Sequence, residues 1–157
     1  MILILQDTNL LLRGSQPSHP QHQEALSAQE SLRQRGDKLC LVAQNLVEFR
    51  AVATRPLSVN GLGISQSQAD AEIARLERLF PVFPDLPGIL EEWKHLNRLY
   101  GAQGKQNHDA RIVAAMIVHN IPCILTFNKE DFIRYPEVVA LTPKEVLVNG
   151  KGSGVQS

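Results

Sequence analysis

Short, fully apolar runs alternate along the chain with longer segments in which apolar residues recur at helical spacing. Short runs with β-branched residues are typical of strands buried on both faces of a parallel sheet. Longer amphipathic segments are typical of helices that pack on one side. The pattern predicts strands at 2–5, 38–42, 81–84, 122–126 and 138–141. It predicts a first helix that begins near Leu10 and a last helix that begins after Thr142. Between them it predicts helices over 19–35, 43–54, 67–80, from Leu86 or Gly88 to Tyr100, and over 109–120.

This alternation, without an internal repeat, predicts an α/β domain around a mostly parallel sheet. We expect the first strand, which precedes Asp7, to be a central one, whereas the order of the other strands does not follow from the pattern. Residues 149–157 contain few large apolar side chains. The predicted domain therefore spans residues 1–148, and residues 149–157 are expected to form a flexible C-terminal tail.

Length and composition fit one globular domain: the chain has 157 residues, of which 43% are hydrophobic and 20% are charged. Sixteen basic and sixteen acidic residues make it formally neutral. A nucleic acid would therefore have to be held by a local basic patch, because there is no global positive field. The candidates for that patch are Arg13, Arg50, Arg55, Lys105, Arg111 and Lys129, with ordinary solvated surface as the alternative for each.

The sequence gives no sign of export or membrane insertion. Asp7 interrupts the N-terminal apolar run and no basic residue precedes it, so we expect no signal peptide. No stretch approaches the roughly 20 apolar residues of a membrane span. Cys40 and Cys123 each lie inside an apolar run, which favours core positions over a disulfide or a zinc site. These features predict a cytoplasmic protein.

Four acidic residues follow predicted strands or begin predicted helices: Asp7, Glu48, Asp109 and Asp131. Because the carboxyl ends of parallel strands meet at one edge of a sheet, these side chains can converge there. Converging carboxylates repel unless their pKa values rise or a divalent cation lies between them. Carboxylates without histidine or cysteine at ligand spacing favour Mg²⁺ or Mn²⁺. The chemistry that such a site supports is metal-assisted hydrolysis of a phosphodiester.

Each acid also has a purely structural explanation. Asp7 would cap the next helix, which is the favoured role when this residue is considered alone. Asp109 would complement the dipole of its helix, and Asp131 would form a turn. Glu48 would be an ordinary solvated helix residue. Both explanations stay open for every acid at this point.

The motifs around these acids resemble, in the same order, those of PIN-domain ribonucleases. The motifs are Asp7-Thr-Asn9, Asn45–Phe49, Asn107–Ala115 and Leu125–Phe132, and the segment Phe49–Pro56 resembles the VapC-type toxins of that family. The resemblance covers residues 1–148. It implies a PIN-like three-layer α/β/α sandwich with a central, mostly parallel sheet.

The resemblance also implies a Mg²⁺- or Mn²⁺-dependent endoribonuclease, the toxin of a toxin–antitoxin pair. Asp7 and Asp109 resemble the main metal ligands of the family. Glu48 resembles a ligand or a water-orienting base, and Thr8 and Thr126 resemble supporting hydroxyls. The implied partners are an RNA such as tRNA or another structured RNA, a cognate VapB-like antitoxin and a second copy of the chain in a homodimer.

The fourth motif departs from the family pattern, in which an aspartate follows the threonine by two residues. Here Asn128 occupies that position, and a neutral amide is a poorer ligand for Mg²⁺. We therefore expect Asp131 to supply the fourth acid.

The alternative function is a non-catalytic PIN-like module that binds RNA or protein. The retention of Asp7, Glu48 and Asp109 argues against it, because no fold requires three acids at one edge of its sheet.

Overall fold

The computed structural model describes the backbone of residues 1–156 and the side chains of residues 1–149. Five strands form one parallel sheet in the order β3-β2-β1-β4-β5. They are β1 (Leu3–Gln6), β2 (Lys38–Val42), β3 (Val82–Phe83), β4 (Cys123–Leu125) and β5 (Val139–Leu141). The first strand is central, as predicted. The strand order reverses beside β1, since the chain runs outward to β2 and β3 before it crosses to β4.

Helices connect the strands and cover the sheet. Within residues 1–156 they are α1 (Thr8–Gly14), α2 (His22–Gln34), α3 (Ala43–Thr54), α4 (Gln66–Leu79), α5 (Gly88–Tyr100), α6 (Gln106–Val118) and α7 (Pro143–Gln156). Single 3₁₀ turns lie at Leu57–Val59 and Lys129–Asp131. None of the helices in this part of the chain is long and apolar enough to cross a lipid bilayer.

Two hydrophobic cores lie on the two faces of the sheet. Helices α5 and α6 build one core, in which Leu5 of β1 packs with Ile112 and Val113. Helices α1 to α4 and α7 build the other, in which Ile4 packs with Phe49. Successive residues of β1 thus enter opposite cores, which explains why the strand is apolar throughout. This arrangement confirms the predicted three-layer α/β/α sandwich.

Five elements begin later than predicted: β1, β3, β4 and β5 by one residue each, and α2 by three. β1 begins at Leu3. Ile2 is 45% exposed, and its N–H donates to Asp37 Oδ1 at 3.1 Å instead of to the backbone of a neighbouring strand. α2 begins at His22 instead of His19. The residue before a proline is disfavoured in helical conformation, and His19 precedes Pro20 in a separate turn.

Three helices begin earlier than predicted: α1, α6 and, by one residue, α4, which begins at Gln66. α1 begins at Thr8, directly after Asp7. α6 begins at Gln106, whose side-chain oxygen accepts the N–H of Gln103 at 3.0 Å and so stabilises the turn before the helix. Asp109 therefore does not open α6. It is the last residue of the first helical turn.

Helix α7 begins as predicted, with Thr142 as its cap and Pro143 as its first residue. The Glu145 N–H donates to Thr142 Oγ1, and the Thr142 N–H donates to Glu145 Oε1, both at 3.1 Å, which is a reciprocal capping box. The backbone of α7 is described as far as Gln156. Side chains beyond Asn149 lie outside the described residues, so the flexible tail at 149–157 and the domain boundary at 148 stay predictions.

The different burial of Ile2 and Ile4 supplies a matched test of where β1 begins. Ile4→Val removes a methylene from a side chain that is 1% exposed, so we expect a loss of about 1 kcal/mol in the free energy of unfolding. Ile2→Val, at a side chain 45% exposed, is expected to change it by less than about 0.5 kcal/mol. Urea titrations of both variants compare the two. Equal losses would contradict a strand that begins at Leu3.

Candidate active site

The ends of β1 and β4 lie side by side, and a polar residue follows each. The Asp7 N–H donates to Leu125 O at 2.9 Å, and Thr126 Oγ1 donates to Asp7 Oδ2 at 2.7 Å. Asn9 adds a second link, since its Nδ2 donates to Thr126 Oγ1 at 3.4 Å and its Oδ1 accepts the Phe127 N–H at 3.3 Å. This is the point of strand-order reversal, where open α/β sheets bind their ligands.

Asp7 combines the two roles that its sequence position left open. Its Oδ1 accepts the Thr8 N–H at 2.8 Å, so it does cap α1. Its Oδ2 is the acceptor for Thr126 and therefore lies toward β4. One carboxylate oxygen caps the helix, and the other belongs to the polar edge of the sheet.

Glu48 is held at the same edge from helix α3. Thr8 Oγ1 donates to Glu48 Oε1 at 2.7 Å, and Gln44 Nε2 donates to Glu48 Oε2 at 2.9 Å. Asn45 supports Thr8, because its Nδ2 contacts Thr8 Oγ1 at 3.4 Å while its Oδ1 accepts the Val42 N–H at 2.9 Å. Glu48 is therefore not the ordinary solvated residue of the structural explanation.

Asp109 reaches the site from helix α6. The Trp93 Nε1–H of α5 donates to Asn107 O at 2.9 Å and fixes the beginning of α6. Among the described residues, none donates a hydrogen bond to the buried Oδ2 of Asp109. A buried carboxylate oxygen without a donor is unfavourable, and a cation is one means of compensating it.

The four acids interact electrostatically. Burial raises the pKa of Asp7 to about 6; two hydrogen bonds oppose the rise, and the charges of Glu48 and Asp131 add to it. Burial also raises the pKa of Asp109 to about 7, with further increases from the charges of Asp131, Asp7 and Glu48. All four acids thus meet at one edge of the sheet, where their charges oppose one another.

Asp131 and Asn128 contribute differently to this edge. Asp131 ends the 3₁₀ turn after β4, and its charge raises the pKa of both Asp7 and Asp109. Asn128 is exposed, and its backbone N–H donates to Thr126 Oγ1 at 3.0 Å. Asp131 is therefore the residue of the fourth motif whose charge acts on Asp7 and Asp109, while Asn128 supports Thr126 through its main chain.

An open groove lies between helices α3 and α6, and two of the four acids, Glu48 and Asp109, line it. It is lined by Thr8, Glu48, Ala51, Val52, Arg55, Lys105, His108 and Asp109. Arg55 and Lys105 form no ion pair with the described residues, and the charge of Lys105 lowers the pKa of Asp109. Arg13 hydrogen-bonds Gln16, and the other predicted basic residues form ion pairs: Arg50 with Asp70, Arg111 with Asp85, and Lys129 with Glu145. Only Arg55 and Lys105 thus line the groove as unpaired cations in the described part of the chain.

The sequence reasoning assigned no role to three residues at this edge, Asn9, Gln44 and Asn45, although Asn9 and Asn45 lie in the motifs quoted above. Spacing indicates Gln44, which precedes Glu48 by four residues, so that these two side chains lie on one face of helix α3. Asn9 is not indicated in this way, because its contacts are to Thr126 and Phe127 at the end of β4. Asn45 lies three residues after Val42, the predicted strand end, which is the spacing at which a side chain accepts the N–H of the residue that precedes a helix.

The carboxylate ligands suit a hard divalent cation, although they are not arranged as a complete coordination site. Within residues 1–149, no three histidine, cysteine, aspartate or glutamate side chains are grouped so that they could hold a metal ion. Asp7 and Glu48 instead accept hydrogen bonds from neighbouring hydroxyl, amide and backbone N–H groups. The carboxylate oxygens and the unpartnered Oδ2 of Asp109 are nevertheless the chemistry that Mg²⁺ and Mn²⁺ bind.

Comparison with known proteins agrees with the fold and the motifs. A family model described as the PIN domain matches residues 4–138. The chain belongs to the PIN-domain family, which confirms the resemblance seen in its four motifs. A search of curated protein sequences found no match.

Solved structures with the same fold include proteins of bacterial toxin–antitoxin complexes. VapBC2 from Rickettsia felis, bound to a DNA fragment from its promoter, has a TM-score of 0.66 at 12% identity and covers 90% of this chain and 98% of its own. FitAcB from Neisseria gonorrhoeae has a TM-score of 0.63 at 20% identity, with coverage of 90% and 98%. VapBC-1 from nontypeable Haemophilus influenzae has a TM-score of 0.63 at 15% identity, with coverage of 91% and 99%. At these identities the likeness shows the fold.

The raised pKa of Asp109 predicts how stability depends on pH without metal. The folded protein holds a proton on Asp109 up to about pH 7, whereas the carboxyl's unperturbed pKa is 3.8. The contribution of Asp109 to stability is therefore fully present below about pH 4 and is lost as the pH rises through about 7. In EDTA, Asp109→Asn should raise the Tm by a few degrees at pH 8 and leave it nearly unchanged at pH 4. A shift of the same size at both pH values would contradict the electrostatic explanation.

Proposed function

We propose that this protein is a divalent-metal-dependent endoribonuclease and the toxin component of a toxin–antitoxin pair. The observation that carries the proposal is the convergence of four acids at the point of strand-order reversal, around an Asp109 Oδ2 that is buried without a donor among the described residues. Membership of the PIN-domain family supports it. A buried carboxylate oxygen without a hydrogen bond is unfavourable, and a bound cation would offset that cost.

Asp7, Asp109 and Glu48 are the residues that would hold Mg²⁺ or Mn²⁺. Magnesium usually keeps several waters and binds one or two carboxylates directly, so a site for it does not require three ligands already in contact. When bound, the ion supplies Lewis-acid stabilisation of a phosphate oxygen and lowers the pKa of a bound water.

The other steps of the proposed hydrolysis depend on side chains of the protein. Glu48, with both oxygens held by donors, is placed to orient the attacking water and accept its proton. Asp131 adds negative charge to the cation site. Thr8 and Thr126 fix the carboxylates through their hydroxyl groups. Asn128 supports the site through its contact with Thr126.

The substrate proposed is RNA with a single-stranded or looped region, such as tRNA or another structured RNA. Arg55 and Lys105 line the groove without ion-pair partners in the described residues, so they are available to phosphates on either side of the cleaved bond. Because the chain is formally neutral, these two local charges have to supply the attraction that a basic protein spreads over its whole surface.

The partners proposed are a VapB-like antitoxin and a second copy of the chain in a homodimer, and the location proposed is the cytoplasm. Similar folds in VapBC and FitAB complexes support an antitoxin partner. The absence of a membrane-crossing helix among residues 1–156 is compatible with that location.

Substitution of Asp7 tests the nuclease. Asp7→Asn keeps oxygen and nitrogen atoms for the bonds to Thr8 and Thr126 but removes the charge, so we expect it to abolish cleavage of tRNA in Mg²⁺ while the protein stays folded. EDTA should abolish cleavage by the unsubstituted protein. Gel assays of the RNA products and circular dichroism measure the two effects.

Asp70→Asn is the matched control, because Asp70 is an exposed aspartate whose contact is an ion pair with Arg50. We expect it to cleave RNA at the unsubstituted rate. RNA binding without cleavage in either Mg²⁺ or Mn²⁺ would favour the non-catalytic PIN-like module instead.

Expression in a bacterial host tests the toxin. We expect the chain alone to arrest growth because it degrades cellular RNA, and co-expression of the protein encoded by the adjacent reading frame to restore it. Colony counts after induction measure both. Growth arrest that persists with Asp7→Asn would refute a nuclease origin of the toxicity.

A further inference from the structure

Gln44 joins both sides of the groove through one side-chain amide. Its Nε2 donates to Glu48 Oε2 and to His108 O, each at 2.9 Å, and its Oε1 accepts Arg111 Nη1 at 2.8 Å. The side chain is buried, with 8% of the residue exposed. Both amide hydrogens and one oxygen lone pair are therefore used, and the amide connects helix α3 to helix α6.

The surroundings of Gln44 allow only one orientation of the amide. Two acceptors, the Glu48 carboxylate and the His108 carbonyl, face its nitrogen, and the Arg111 guanidinium faces its oxygen. A flipped amide would place oxygen against two acceptors and N–H groups against a cation. Arg111 thus fixes which atom of Gln44 meets Glu48.

Arg111 is itself held at a second point. Its Nη2 lies 3.3 Å from Asp85 Oδ1, in the loop between β3 and α5. A continuous chain of polar contacts therefore runs from Asp85 through Arg111 and Gln44 to Glu48, and it ends at Thr8, which donates to the other Glu48 oxygen at 2.7 Å.

We propose that Gln44 and Arg111 are positioning residues of the nuclease: they hold the Glu48 carboxylate in the orientation in which it acts on the metal and the attacking water. This inference rests on the proposed function. Gln44 fixes Glu48 Oε2 directly, and Arg111 acts through Gln44. Partners of this kind orient ligands, and their loss costs about 10- to 100-fold in metal affinity or activity.

The experiment replaces each residue by methionine, which is unbranched and makes no comparable hydrogen bond. We expect Gln44→Met and Arg111→Met each to lower kcat for RNA cleavage by about 10- to 100-fold and to weaken Mn²⁺ binding, measured by electron paramagnetic resonance without RNA. The double variant should lose little more than Gln44→Met alone, because both act on one carboxylate. Arg111→Lys should recover part of the loss.

Two variants control for the removal of similar groups elsewhere. Gln29→Met removes another buried glutamine, whose Nε2 donates to Gln6 Oε1 at 2.6 Å, and Arg75→Met removes an arginine whose Nε lies 3.0 Å from Glu72 Oε1. We expect both to retain the unsubstituted kcat and Mn²⁺ affinity, even where their Tm falls.

The outcomes separate the two levels of the proposal. An unsubstituted protein that neither binds Mn²⁺ nor cleaves RNA overturns the nuclease and, with it, the positioning role. An active unsubstituted protein whose Gln44→Met and Arg111→Met variants behave like the controls overturns the positioning role alone. Should Gln44→Met fail to fold, Arg111→Met decides, since it leaves the buried amide in place. Losses that simply add in the double variant also overturn the inference.

Discussion

Repulsion among carboxylates at the carboxyl edge of the sheet is the constraint on which the polar part of this structure depends. Asp7, Glu48, Asp109 and Asp131 raise one another's energy when ionised, and burial adds to that effect at Asp7 and Asp109. Hydrogen bonds from hydroxyl and amide groups stabilise two of these four carboxylates at the edge of the sheet. Thr126 donates to Asp7, and Thr8 and Gln44 donate to Glu48. Asp109 keeps one oxygen without such a donor among the described residues.

The topology explains why residues far apart in sequence meet here. β1 and β4 are neighbours in the sheet although more than a hundred residues separate them in the chain. Because the two strands are paired, Thr126 Oγ1 lies 2.7 Å from Asp7 Oδ2. Helix α3 begins directly after β2, which places Glu48 two turns from the same edge. Helix α6 precedes β4 and runs antiparallel to it, so its first turn lies at the carboxyl edge. The acids are therefore carried to the site by different strands and helices.

The sequence predicted the alternation of strands and helices and the parallel sheet, because both depend on local signals, whereas the three layers were implied by the resemblance to a family. Buried strands appear as apolar runs, and acids at strand ends are visible in the order of residues. The strand order did not follow, since β1 pairs with β4 through contacts that leave no local trace. Helix starts were displaced by side-chain bonds such as that of Gln106 and by the proline that follows His19. The polar supports were missed for a related reason: the bridge from Gln44 to the His108 carbonyl exists only once α3 and α6 have packed against the sheet.

The two strands at the margins of the sheet have a consequence for assembly. β3 contains two residues and β5 contains three, so neither margin offers a row of free backbone groups long enough to template pairing with a foreign strand. Short edge strands limit pairing of this kind and the growth of sheets that follows from it. A second molecule that associates with this one is therefore expected to contact side chains of the helical layers rather than to extend the sheet.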